Sequence, residues 1–240
     1  MIEILSRKAS ESTVFPEDSM ITTFLNPYSY VLARKNRQLF DKFDRIYFDG
    51  IALSLFYRLT GNRIQRRSFD MTSLAPIIFS LSEEEEKSIY LVGTEQQHLE
   101  NAVKKIRYSY PGIRVAGMHH GYFADEEMRE SCLQQIVGLQ PDIVIVGMGA
   151  ILQEKFLIDL CSRDWKGLGF TCGGFFHQTA KSGVKYYPGW IDKLNLRWIY
   201  RIYDEPNLIK RYLFKYPIFA ILFIKDLGTY ILNKNATLNR

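Results

Sequence analysis

Three short segments place residues fit for chemistry at the ends of apolar runs. IYFDG (46–50) delivers one carboxylate, Asp49, directly before Gly50. SIYLVG (88–93) ends in Gly93, and DIVIVGMGAILQE (142–154) runs into Gly147 and Gly149 before turning polar at Gln153 and Glu154. A carboxylate at a strand end can take the proton of an attacking hydroxyl. The same Asp-Gly pair is also what an ordinary turn uses. Glycines at a strand–helix junction leave backbone N–H groups free for a phosphate or a sugar hydroxyl. The spacing is not a dinucleotide fingerprint, because Leu152 holds the third glycine position and the unit falls late in the chain. Gln153 and Glu154 fit a ligand-facing pair or a plain solvent-facing first turn of a helix.

Metal chemistry finds little support. There is no Asp-x-Asp triplet, and His119 and His120, being adjacent, point in different directions. No Cys/His/acid cluster has ligand spacing. No cofactor and no metal are therefore expected.

Those residues need a frame, and the chain supplies alternating elements. Asn26-Pro27 reads as a helix start, with Asn26 as N-cap. Residues 45–48 read as a strand, 51–61 as a helix closed by Gly61, 88–93 as a strand and 95–108 as a helix. Residues 113–117 and 142–147 are further strands, 124–139 and 151–161 helices, and 168–174 a strand with a glycine turn. SEEEEK (82–87) reads as a solvated turn. The expected fold is α/β: a Rossmann-like parallel sheet flanked by helices, with ligands at the C-terminal ends of the strands.

Charge is unevenly placed. Residues 181–240 carry eleven Lys/Arg and four acids, whereas the remainder carries twenty and twenty-two. The positive excess of this +5 chain thus lies wholly in its last quarter, which points to an anionic surface or ligand there. From Lys185 to Tyr216 aromatic and basic residues interleave, a composition suited to a bilayer interface, to single-stranded nucleic acid, or to packing on the core. The membrane is the expected partner and nucleic acid is not. The run 212–224 is too short to span a bilayer. The N-terminus has no apolar h-region, so no signal peptide is expected. Cys132, Cys161 and Cys172 lack CxxC spacing and fit a reducing compartment. The expected division is an α/β core over 1–195 and a basic, aromatic, helical membrane-associating appendage over 196–240.

In this order the segments resemble the bacterial WecG/TagA/CpsF glycosyltransferases, glycosyltransferase family 26. FLNP resembles the family's "T-x-N" region, FDG its "PDG", and PDIVIVGMGAILQE its "PD…VGxGxPxQE". The stretch from Leu91 to Phe123 follows its central block. CGGFF followed by GVKYYPGWIDKLNLRWIYRIYDEP resembles its late glycine-rich and "RAPxW…EWxYRLxxEP" segments. The resemblance runs from about Asn26 to Tyr212. It implies inverting transfer of a hexose (N-acetylmannosamine, its uronic acid, glucose or similar) from a UDP-sugar. The implied acceptor is a polyprenyl-diphosphate-linked saccharide in capsule, O-antigen or teichoic acid-like synthesis, made at the inner face of the cell membrane by a cytoplasmic, peripheral enzyme. It further implies Asp49 as general base, Asn26 as a sugar or acceptor contact and Gln153 as a donor-site residue. Gly50, Gly93, Gly147, Gly149 and Glu154 would line the substrate site, and Arg201 and Arg211 would bring cations from the appendage. A homo-oligomer stays open. Departures from the pattern are Phe24 for threonine, Ile151 for proline, His177 for aspartate, Tyr186 for arginine and Arg197 for glutamate. Other classes compatible with the residues are a different nucleotide-binding α/β enzyme or a non-catalytic membrane adaptor.

Overall fold

A computed structural model describes residues 1–17, 19–182, 200, 202–203 and 208–238. Within it, six strands form one sheet: β1 (Met20–Leu25), β2 (Arg45–Phe48), β3 (Ser88–Gly93), β4 (Arg114–His119), β5 (Ile143–Gly147) and β6 (Leu168–Thr171). Their order is β2-β1-β6-β5-β3-β4, and every neighbouring pair is parallel. Parallel neighbours need crossovers, and helices supply them. Among the described residues the α-helices of five or more residues are α1 (Ile2–Lys8), α2 (Pro27–Lys35), α3 (Arg37–Asp41), α4 (Ile51–Tyr57), α5 (Leu74–Glu84), α6 (Gln96–Ser109), α7 (Glu126–Leu139), α8 (Leu152–Cys161), α9 (Phe175–Ser182) and α10 (Tyr216–Leu238), of which α2 to α8 connect the strands. The Rossmann-like α/β sheet expected from the sequence is the one that forms.

Both faces of the sheet are covered, so its inner strands are buried without alternation. On one face Met20, Phe24, Leu91, Ile145 and Phe170 pack against α5, α6 and α9. On the other, Tyr90, Val92, Val144 and Val146 meet Leu133 and Ile136 of α7 and Phe156, Leu157 and Leu160 of α8. A third cluster joins Leu25, Ile46 and Phe48 to α1, α2 and α10.

Local signals hold where expected. Ser29 N–H donates to Asn26 Oδ1 at 3.0 Å, and Asn26 N–H to Ser29 Oγ at 2.9 Å, so α2 begins in a capping box. A short 3₁₀ turn ends α4, and Gly61 at φ +85° closes it. The segment 82–87 departs from expectation. α5 continues through Glu84, and Ser82 is fully buried, its hydroxyl donating to the Lys87 carbonyl at 2.6 Å. Leu74, Ile78 and Ser82 keep a four-residue spacing, so the helix carries its buried face past the start of the acidic run.

The expected 195/196 boundary lies outside the described residues. The C-terminal helix α10 is anchored in the core. Its Phe219 and Phe223 are buried against Tyr30, with ring centroids 5.2 and 5.6 Å away. Asp226, also buried, accepts from Tyr30 Oη at 2.8 Å and Arg34 Nε at 2.9 Å, with Arg37 at 3.4 Å. Burial and the nearby Asp226 charge push the Tyr30 phenol well above its usual range. A charge taken out of water needs such partners. The opposite side of α10 is exposed and apolar, with Ile221 at 68% and Leu232 at 71% exposure.

The two sides of α10 differ in cost on truncation. Phe223→Ala lowers the unfolding free energy by about 3–5 kcal/mol, the range for emptying a core aromatic site. Ile221→Ser on the outer side changes it by about 0.5 kcal/mol or less. Urea denaturation of both variants checks the pair.

Candidate active site

The C-terminal strand ends lie along one edge, and the expected residues lie with them. β1 and β2 run in register with Leu25 beside Phe48. One step on, the Asp49 N–H donates to the Leu25 carbonyl at 2.8 Å. Asn26 and Asp49, each the first residue past its strand, therefore stand next to each other, both half-buried. Gly50 then adopts φ +110°, a conformation closed to most side chains, and releases the chain into α4. The Asn26 side-chain oxygen is engaged by its own helix cap, which leaves the amide NH2 as the group to meet a ligand.

Farther along the edge, Gly93 and Gly147 pair across β3 and β5. A Cβ on Gly93 would stand 2.4 Å from the Gly147 carbonyl oxygen. A Cβ on Gly147 would in turn meet Cys172 Sγ at 2.8 Å and the Gly173 carbonyl at 2.9 Å. The helices that follow β3 and β5, α6 and α8, lie on opposite faces of the sheet. That divergence opens the crevice in which such folds bind ligands. The loops after β3 and β4 are tied together there, with Gly121 N–H donating to the Thr94 carbonyl at 2.8 Å.

Between β5 and α8 the chain makes a strained turn. Gly149 sits at φ +81° and Ile151 at φ +77°. For a β-branched residue this is a true outlier, worth roughly 1–3 kcal/mol of strain. Beyond the exposed Leu152, Gln153 and Glu154 turn inward, so their reading as a solvent-facing first turn is overturned. Gln153 is 5% and Glu154 0% exposed. Glu154 Oε1 accepts from Thr23 Oγ1 at 2.8 Å and Gln153 Nε2 at 3.1 Å, while Oε2 accepts from Ile151 N–H. Thr23 and Thr171 hydroxyls lie 3.0 Å apart, and Gln153 Oε1 accepts from Gly173 N–H at 3.1 Å. Burial pushes the Glu154 carboxyl above its usual range, against the pull of these donors.

The structure thus brings Asn26, Asp49 and Gly50 to one half of the edge and Gly93, Gly147, Gly149, Gln153 and Glu154 to the other. β1 and β6 are neighbours, and the Thr23–Glu154 bond joins the halves. Arg201 and the side chain of Arg211 lie outside the described residues, as do Tyr186 and Arg197. His177 of α9 packs edge-on against His98 of α6, centroids 4.7 Å apart. Thr23 and Thr171 belong to the site without any signal in the sequence. Both read as ordinary strand threonines until Glu154 is seen above them. Among the described residues no group of three or more His, Cys, Asp or Glu could hold a metal ion.

Comparison with known proteins shows the family. The model of the family described as "Glycosyl transferase WecG/TagA/CpsF family" matches residues 5–231. A UDP-Gal:alpha-D-GlcNAc-diphosphoundecaprenol beta-1,4-galactosyltransferase of Shigella boydii is 37% identical over 94% of this chain and 96% of its own length. An N-acetylglucosaminyldiphosphoundecaprenol N-acetyl-beta-D-mannosaminyltransferase of Bacillus subtilis is 32% identical over 86% of this chain and 79% of its own. A protein of the same description from Bacillus spizizenii is 26% identical over 71% of this chain and 64% of its own.

The buried carboxyl gives a signed pH dependence. A carboxyl whose folded pKa is raised contributes most below its unfolded value, and that contribution is lost as pH rises through the folded pKa. The stability advantage of the wild type over Glu154→Gln is therefore largest below pH 4.5, the ordinary glutamate value, and shrinks as pH rises above it. Urea midpoints of both proteins from pH 4 to pH 8 check the trend.

Proposed function

The chain belongs to the WecG/TagA/CpsF glycosyltransferase family, and from that membership we propose that it transfers a hexose from a UDP-sugar to N-acetylglucosaminyl-diphosphoundecaprenol with inversion. The relatives named above differ in the sugar they add but share that acceptor in their descriptions. The shared acceptor supports the same one here, and the Shigella boydii relative makes UDP-galactose the first donor to try.

The observation that carries the reading is the common edge. Asp49 stands at one end of it, and the glycine turns after β3, β5 and β6 stand at the other. In the proposed reaction Asp49 takes the proton of an acceptor hydroxyl as that oxygen attacks the anomeric carbon. The new C–O bond forms on the face opposite the departing diphosphate. The bond from the anomeric carbon to the phosphate oxygen breaks, and UDP leaves with the electron pair. Backbone N–H groups at the turns, with basic side chains from the C-terminal segment, would stabilise the charge on the leaving group. Asn26, adjacent to the base, would orient the sugar or the acceptor. Gln153, held between Glu154 and Gly173, would act on the donor side.

The lipid-linked acceptor also asks for a membrane. Among the described residues no helix is long and apolar enough to cross one. The outer side of α10 offers a different contact. Ile218, Ile221, Ile224 and Leu232 are exposed beside Lys215 and Lys225, and Leu213 and Phe214 extend the surface. Apolar residues flanked by cations suit an anionic bilayer surface. We assign the peripheral, cytoplasmic-face location to this surface.

Two outcomes test the proposal. Asp49→Asn lowers kcat by about 10²–10⁴-fold, the usual worth of a general base, while UDP affinity stays within about twofold. Product formation from UDP-galactose and other UDP-hexoses on a synthetic N-acetylglucosaminyl-diphospholipid measures it. A variant keeping more than a tenth of wild-type kcat removes Asp49 from the role. For the surface, Lys215→Gln with Lys225→Gln loses about 2 kcal/mol of attraction, or roughly thirtyfold in partitioning to anionic vesicles. Flotation at low salt measures the loss, and equal flotation of both proteins speaks for core packing alone.

A further inference from the structure

The polar cluster under α8 centres on Glu154, a fully buried carboxyl that the proposed chemical steps do not use. It lies between two apolar clusters on the same face of the sheet, the one around Phe156 and Leu157 and the one around Leu25 and Phe48. An apolar side chain would fill that seam without the cost of desolvating a carboxylate. Glu154 stands there instead, with donors on both oxygens.

Its partners are informative. Ile151 N–H reaches Oε2, so the carboxylate holds the residue at φ +77°. Gln153 Nε2 reaches Oε1, which turns the other end of that amide onto Gly173 N–H at 3.1 Å. Thr23 Oγ1 reaches Oε1 from β1, three residues before Asn26. One carboxylate therefore fixes the turn after β5, the turn after β6 and the end of β1. Gln153, buried and bonded at both ends of its amide, is committed to the same task.

We infer that Glu154 is a positioning residue of the donor site: through Ile151 and Gln153 it holds the two turns that receive the diphosphate of the nucleotide-sugar donor. Its carboxylate touches no substrate, being wholly buried. This rests on the donor reading proposed above. It replaces the expectation that Glu154 itself contacts substrate.

Glu154→Gln tests it with little change of volume. The amide cannot accept from all three donors, because one of its positions is itself an NH2. Two readouts apply. Amide hydrogen exchange of Ile151 and Gly173, measured without ligand, speeds up at least tenfold if the clamp holds. UDP binding by calorimetry weakens at least tenfold, and the donor KM rises alike, while the KM for the lipid-linked acceptor stays within twofold. A merely structural role would not split the two KM values. Thr23→Val removes a single donor and carries the same test if Glu154→Gln fails to fold; Thr23→Ser, which keeps the hydroxyl, restores donor affinity. Unchanged exchange at Ile151 and Gly173 overturns the clamp. Faster exchange with unchanged UDP affinity overturns the positioning role. A wild-type protein that binds neither UDP nor any UDP-hexose overturns the donor reading itself, an outcome distinct from both.

Discussion

The close approach of Gly93 to Gly147 is the constraint on which the rest of this site depends. Backbone meets backbone there, and a single methyl group on Gly93 would lie 2.4 Å from a carbonyl oxygen. Because neither position carries a side chain, β3 and β5 can pair to their last residues and still leave the edge bare. Thr94 N–H then bonds back to the Gly147 carbonyl, which starts the loop toward α6. Gly147 in turn lies against the Cys172–Gly173 turn, so three strand ends are packed through their main chains. Free N–H groups near such a floor are available to an anion in a way that a side-chain-lined floor would block.

Among the described residues two carboxylates are buried, Asp226 and Glu154, and their surroundings differ. Asp226 is met by Arg34 and Arg37 and by the Tyr30 hydroxyl, so its charge is compensated directly. Glu154 has neutral donors alone among the described residues, and desolvation raises its carboxyl pKa. The first arrangement fastens a helix to the fold through ion pairs. The second keeps a carboxyl whose pKa burial raises, beside strained backbone. Strain of that kind persists only where neighbours over-determine it. Glu154 is such a neighbour for Ile151.

Much of this was legible in the sequence, for physical reasons. Strands β3 and β5 are short apolar runs ended by glycine, and α2 opens on an Asn-Pro cap, so period and punctuation gave them away. β1 is not legible as a strand. Its MITTFL carries two adjacent threonines, one on each face, that look polar until the partners of Thr23 are known. α1 is too short for its periodicity to show. The acidic run after Leu81 hid the end of α5, because three of its residues still belong to a helix whose inner face is buried. Glu154 is the sharpest case. A glutamate in the first turn of a helix is ordinarily solvated and favoured by the helix dipole. Only the tertiary placement of α8 over Thr23 and Thr171 buries it, and no local pattern encodes that.

The α2–α10 contact ties the candidate edge to the surface proposed to meet the membrane. α2 begins at Asn26, beside Asp49, and its later turns present Tyr30 and Arg34 to α10. Eight residues of helix separate Asn26 from Arg34, about 12 Å at the α-helical rise. α10 is thus locked by its inner face to a helix that starts in the candidate site. Its outer face cannot rotate without breaking the Asp226 bonds and unpacking Phe219 and Phe223. On the proposed reading, a bilayer engaged by Ile221 and Leu232 meets the protein at a fixed angle to the edge that carries Asp49. A lipid-linked acceptor confined to that bilayer has lost most of its freedom of approach before it arrives. Part of the orientational cost of transfer is then met by one short helix and the buried Asp226 with its arginines.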